Sequence, residues 1–336
     1  MKMNLEKAIG CMLTSAYGDS LGFAVEFMDL LHIRKMYGFR GITNLQPALG
    51  FPYPVISDDT QMAEWTGVGL VSADDLSNDE LLRAWLWWAY LSWYERQITN
   101  SNESRAPGST CMSALSRRVM GLRDKPINDS AGCGGIMRAH PIGIVFANNP
   151  EKAFEVGIDS AALTHSSPDG FIPAGVLACL VAHLMSGKNL SDSFKGMMEI
   201  LNSYPQNLIT GTKKALYYAL VAPVAGDHSL IIDKRVGRVG GTLGKSGGGW
   251  LGHDALAIAI YAIRCAPMNV LEALRISVNH SGDSDSTGAI TGALMGALHG
   301  PLAIEQALVA SGTELEHYEY LKSLATMLFE KSLAIK

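Results

Sequence analysis

The chain carries little charge for its size. Asp, Glu, Lys and Arg make up 18% of its 336 residues, against a usual share of about 25%. With apolar types at 48%, much of the chain is expected to be buried inside one compact body, and residues 1–336 are expected to form one domain. Neither sign of charge dominates: 27 basic residues face 32 acidic ones for a net charge of −5. That balance excludes a general attraction for nucleic acid or for an anionic membrane surface. The five cysteines are scattered and never spaced as CxxC, which excludes a paired redox or zinc framework and predicts free thiols in a reduced cytoplasm. No signal-like segment opens the chain, since "MKMNLEKAIGCML" lacks a long apolar stretch. The most apolar run, residues 171–185, spans 15 residues with Pro173 and His183 inside it. A membrane span needs about 20, so a buried core helix is expected there.

Alternating strand patterns are also scarce. "HSLIID" (228–233) is the best strand candidate, at the head of an irregular stretch over 229–250. Helical spacing is abundant and predicts an all-α fold. In 81–97, Leu81, Trp85, Trp88 and Leu91 recur at steps of three and four and predict an inward face. Residues 254–266 and 269–280 read as two further helices. Gly288, Gly292, Gly296 and Gly300 recur at four-residue steps, as do Gly10, Thr14, Gly18 and Gly22. Glycine costs roughly 1 kcal/mol against alanine inside a helix, so two such stripes predict two helices in close approach, one against the other. "GTLGKS" (241–246) imitates the tail of a phosphate-binding P-loop, but the opening glycine would be residue 239, which is valine.

Acidic residues cluster at two helix mouths. "SDDTQM" sets Asp58 beside Asp59, and "GDSDSTG" sets Asp283 two residues from Asp285. Helix N-termini favour acids by roughly 0.3–1 kcal/mol each, so each pair could cap its own helix. With Ser57 and Ser286 they also supply an all-oxygen donor set of the kind hard divalent cations take. An EF-hand loop is excluded because its twelfth position is Leu294. A prenyl-diphosphate D-D-x-x-D motif fails at Met62.

Seven segments in order resemble the ADP-ribosylglycohydrolase family, which includes the dinitrogen reductase-activating glycohydrolases and the ADP-ribosyl-acceptor hydrolases. They are "GDSLGFAVEF" (18–27), "SDDTQM" (57–62), "RAPGSTC" (105–111), "GCGGIMRAHPIG" (132–143), "THSSP" (164–168), "GGGWLGHDALAIAIYA" (247–262) and "GDSDSTGAITGAL" (282–294). The resemblance implies an all-α fold with a central cleft holding two Mg²⁺ or Mn²⁺ ions. It places the metal ligands at Ser57, Asp58, Asp59, Asp283, Asp285 and Ser286, with Glu26, Asp58 and Asp285 as the catalytic carboxylates. Substrate contacts would come from Gly108, Ser109, Ser130, Gly132, Gly134 and His165. The implied reaction is hydrolysis of the N-glycosidic bond of ADP-ribosylated arginine on a protein, releasing ADP-ribose. Alternatives are another ADP-ribose linkage, or an immunity-type protein that neutralises an ADP-ribosyltransferase toxin. Arg138 is expected in a buried ion pair. The sequence departs from relatives at His253-Asp254, Ala131 and Cys133.

Overall fold

The computed structural model describes residues 4–48, 50–238 and 247–335. These residues form sixteen α-helices. The first eight are α1 (Leu5–Phe23), α2 (Leu30–Tyr37), α3 (Asp58–Ser72), α4 (Asp79–Thr99), α5 (Ser109–Ser116), α6 (His140–Val145), α7 (Pro150–Ala162) and α8 (Pro168–Met185). The rest are α9 (Leu190–Asn202), α10 (Gln206–Val221), α11 (His228–Lys234), α12 (Gly252–Cys265), α13 (Val270–Val278), α14 (Ser284–His299), α15 (Leu302–Ser311) and α16 (Tyr318–Ala334). Among the described residues there is no strand, only two isolated bridges, Leu122 with Lys125 and Gly132 with Leu251.

Two helices organise the interior. The first, α8, is the apolar run identified in the sequence; it is buried along nearly its whole length and packs against α6, α7, α9, α10, α12 and α14. It is long and apolar enough to cross a membrane, but its surface is covered by protein. The second, α14, lies directly on α1 along both glycine stripes. A methyl group on Gly292 would fall inside the carbonyl oxygen of Thr14, and one on Gly18 inside that of Gly288. Only hydrogen at these positions lets the two backbones touch. At the end of the seam, a methyl on Gly22 would strike the backbone of Ser284 and Asp285. The stripe therefore brings the mouth of α14 onto the end of α1, four residues before Glu26.

Three expectations need correction. The segment 228–233 is helical, not extended: Asp227 caps α11 by accepting from the Leu230 N–H at 3.2 Å, and Ser229 and Ile232, three apart, are buried. In α4 the inward face is Leu82, Leu86, Ala89, Tyr90 and Trp93, whereas Leu81 and Trp88 are exposed. The helix is apolar on more than one side. Its rotation is fixed by Tyr90, whose hydroxyl hydrogen-bonds Thr66 and Ser160 at 2.8 Å each. Trp85 and Trp88 instead pack edge to face, with centroids 5.6 Å apart. Finally, Arg138 is fully buried without a carboxylate partner among the described residues. Its guanidinium lies 4.1 Å over the Tyr90 ring and donates to Thr164 Oγ1 at 2.7 Å and the Ser160 carbonyl at 3.1 Å. A cation–π contact and neutral acceptors compensate its desolvation where an ion pair was expected. The P-loop look-alike at 241–246 lies outside the described residues.

Candidate active site

Two helix N-termini form the floor of the site. Ser57 caps α3, accepting from the Asp59 N–H at 3.1 Å. Asp283 caps α14, accepting from the Ser286 N–H at 3.3 Å, and Asp285 Oδ1 accepts from the same N–H at 3.0 Å. Each acidic pair therefore does begin its own helix. Both pairs nevertheless line one cavity of about 350 Å³, together with Glu26. Ser286 lines it too; Ser57 is buried and is not among the lining residues.

Asp19 holds these elements in register. It is fully buried on α1 and accepts from the Ser57 and Thr60 N–H groups at 3.0 and 3.2 Å, and from the Thr60 hydroxyl. It fixes the start of α3 against α1, yet sequence reasoning gave it no role. Its only signal was its place beside Gly18 in the first motif. On the outer side, Glu316 accepts from the Ile56 N–H at 2.9 Å and from Arg105 at 3.0 Å, bracing the loop that enters α3.

Two glycine-bearing loops make the walls. Gly108 donates its N–H to Asp58 Oδ2 at 3.0 Å, so that donor already serves a carboxylate. Ser109 begins α5, whose N-terminus has no side-chain cap; its free N–H groups are suited to an anion. The second loop carries Gly132 and Gly134 over His165. A methyl on Gly134 would meet the His165 ring at 2.9 Å. Ser130 stands behind this turn, its hydroxyl 3.1 Å from that of Thr110, and joins the two loops. His165 is buried, hydrogen-bonded to Thr164 Oγ1 at 2.9 Å, and burial drives its pKa down to about 3. It is a neutral ring. Cys133 donates its thiol to Asp283 Oδ2 at 2.7 Å. At the mouth, Phe27 stacks on Trp250 with centroids 5.2 Å apart, an aromatic pair that no local pattern signalled. His280 and His253 lie outside the lining; His280 bonds Thr287 Oγ1 at 3.0 Å, and His253 Nε2 lies 3.5 Å from Asp254.

The electrostatics are those of crowded acids. Burial, and then repulsion from Asp285, pushes the Asp19 carboxyl up to about 7. Burial followed by repulsion from Asp285, Asp283 and Asp58 takes Glu26 to about 11. Asp58, Asp59 and Asp283 are also driven well above the ordinary range, chiefly by burial. Asp59 Oδ2 and Glu26 Oε2 are buried with no hydrogen-bond partner among the described residues. Such a set requires protons or cations to offset it. Its donors are oxygens throughout, as hard divalent ions prefer. The side chains share a wall but do not close into a cage: among the described residues, no three His, Cys, Asp or Glu groups are gathered as a ready metal site.

Comparison with known proteins agrees with this construction. The sequence profile of the ADP-ribosylglycohydrolase family matches residues 1–334. ADP-ribosylhydrolase ARH1 of Dictyostelium discoideum is 26% identical, over 86% of this chain and 85% of its own. ADP-ribosylarginine hydrolase Tri1 of Serratia proteamaculans is 27% identical over 57% of this chain, which spans half of that protein. A solved structure described as an ADP-ribosylglycohydrolase-related protein complex superposes with a TM-score of 0.72, covering 99% of this chain and 100% of the other at 21% identity, and so shares the fold. With an acid-lined cleft at the mouths of α3 and α14 and a family match from one end to the other, the chain belongs to the ADP-ribosylglycohydrolases, enzymes that hydrolyse bonds to ADP-ribose.

Proposed function

We propose that the enzyme cleaves the N-glycosidic bond joining ADP-ribose to an arginine side chain of a modified protein. The observation that carries this reading is the shared cavity: carboxylates from α3 and α14 line one space together with Glu26 and two glycine-bearing loops. The Serratia relative, named for ADP-ribosylarginine, supports the choice of acceptor. The protein bearing the modified arginine is the expected partner.

Ser57, Asp58, Asp59, Asp283, Asp285 and Ser286 would hold two divalent cations, Mg²⁺ or Mn²⁺. Bound there, such ions supply charge to orient ribose hydroxyls and to acidify water. The remaining steps rest on the chain's own groups. N–H groups at the start of α5 and in the turn at 130–134 bind the diphosphate, and the absence of side chains at Gly132 and Gly134 lets that turn pack closely on His165 and Cys111. His165, kept neutral, supports that turn from below. As the C–N bond breaks, positive charge grows at the anomeric carbon, and the buried carboxylates stabilise it. Glu26, which lines the cleft beside these carboxylates, gives a proton to the departing guanidine nitrogen. Asp58 or Asp285 takes the proton of the attacking water. The products are ADP-ribose and unmodified arginine.

Incubation with ADP-ribosyl-arginine and Mg²⁺, followed by chromatography, should yield free ADP-ribose and arginine in equal amounts. Release only from an O-linked serine conjugate would move the acceptor assignment to that linkage. Release from neither would remove the proposed reaction.

A further inference from the structure

A second cavity, of about 400 Å³, lies between α10 and the end of α11 and shares no lining residue with the acidic cleft. Its chemistry is opposite in sign. Lys214 contributes from α10, and Lys234, Arg235 and Arg238 contribute from the end of α11 and the turn after it; among the described residues no acid lines the space. None of the four has an ion-pair partner among the described residues, although the chain as a whole is net acidic. Lys234 and Arg235 complement the C-terminal end of the α11 dipole. Lys214 is in the middle of α10 and Arg238 lies beyond α11, so helix polarity does not account for them. Four unpaired cations around one hollow repel one another unless an anion joins them.

The shape and the remaining lining narrow the ligand. The volume falls within the range of small-molecule sites, about 300–1,000 Å³. Tyr218, one helical turn from Lys214 on the same face of α10, is 39% exposed. Val221 continues that face toward the cavity. A ring beside a cationic pocket is the pairing that holds a nucleobase and its phosphates together. Two lysines and two arginines are more charge than a single carboxylate or monophosphate would balance. We propose that this cavity is a second ligand site, separate from the acidic cleft, that binds the diphosphate of a nucleotide with the base against Tyr218.

The test is calorimetric titration of the full chain with inorganic pyrophosphate and with ADP, in chelator so that no divalent ion bridges either ligand to the cleft. Both ligands bind, ADP more tightly, and binding weakens as salt is raised. Lys214→Ala/Arg238→Ala weakens both at least tenfold. Tyr218→Ala removes the advantage of ADP and leaves pyrophosphate unchanged. All three substituted side chains are exposed, so the fold is retained, and circular dichroism checks this. Ser109→Glu, which places a carboxylate in the cleft, leaves binding within twofold. If neither ligand binds at millimolar concentration, the site is overturned. Binding lost in Ser109→Glu and kept in the double variant overturns it too, because the anion then sits in the cleft. An ADP advantage that survives Tyr218→Ala overturns the assignment of the base.

Discussion

Asp285→Asn is expected to lower kcat by roughly 10²–10³-fold, the scale on which losing one preorganised charge-stabilising group is felt, and to make the chelated protein more stable. Asp285 is the common repeller in the cleft, raising the carboxyls of Asp19, Glu26, Asp58, Asp59 and Asp283. The amide keeps the shape and the acceptor for the Ser286 N–H while removing the charge. The gain should be about 1 kcal/mol, typical of relieving a functional strain, or roughly 2–4 °C in Tm. The pH dependence carries the same signature. A buried carboxyl with a raised pKa holds its proton more tightly folded than unfolded. Its contribution to stability is whole below the unfolded value near about 4, and is lost as pH rises through the folded value. For Asp19 that folded value is about 7. In chelator, wild-type Tm should therefore fall between pH 5 and 7.5, and Asp285→Asn should flatten the fall. A variant that keeps its activity, or one that melts earlier than wild type in chelator, would contradict the electrostatic account.

Gly292→Val is expected to destabilise the fold by about 3 kcal/mol or more, at or beyond the upper end of ordinary overpacking. The atom in the way is the backbone carbonyl of Thr14, which cannot swing aside as a flexible side chain would. The helices must part, and since α14 carries Asp283 and Asp285 at its mouth, activity should fall with stability. Ala310→Val, on the exposed side of α15, should change stability by only about 0.5 kcal/mol. Denaturant titration of both variants separates the two cases. Equal, small losses would mean that the α1–α14 seam is looser than described.

What could be read in the sequence was whatever depended on neighbours in the chain. Asp58, Asp59, Asp283 and Asp285 declared themselves by spacing and by their positions at helix starts. The paired stripes of Gly10 to Gly22 and Gly288 to Gly300 declared a close helix contact because only backbone proximity offsets the cost of so much glycine. Patterns with two solutions were the ones misread. Six residues of "HSLIID" fit an alternating strand as well as a turn and a half of helix. The tryptophans of α4 suggested one face while Leu82, Leu86 and Tyr90 occupied another. Roles that arise only across the fold could not be read from chain neighbours: Asp19, though inside the first motif, acts by bonding α3, Phe27 by meeting Trp250, and Lys214 by sharing a hollow with Arg238.

Crystals grown with Mn²⁺ and measured for anomalous scattering test the central claim most directly, because they locate the cations without assuming any reaction. Two anomalous peaks should lie between residues 57–59 and residues 283–286, within coordination distance of the Asp58, Asp59, Asp283 and Asp285 oxygens. A map with no peak between those segments, from a protein that still releases ADP-ribose, would contradict it.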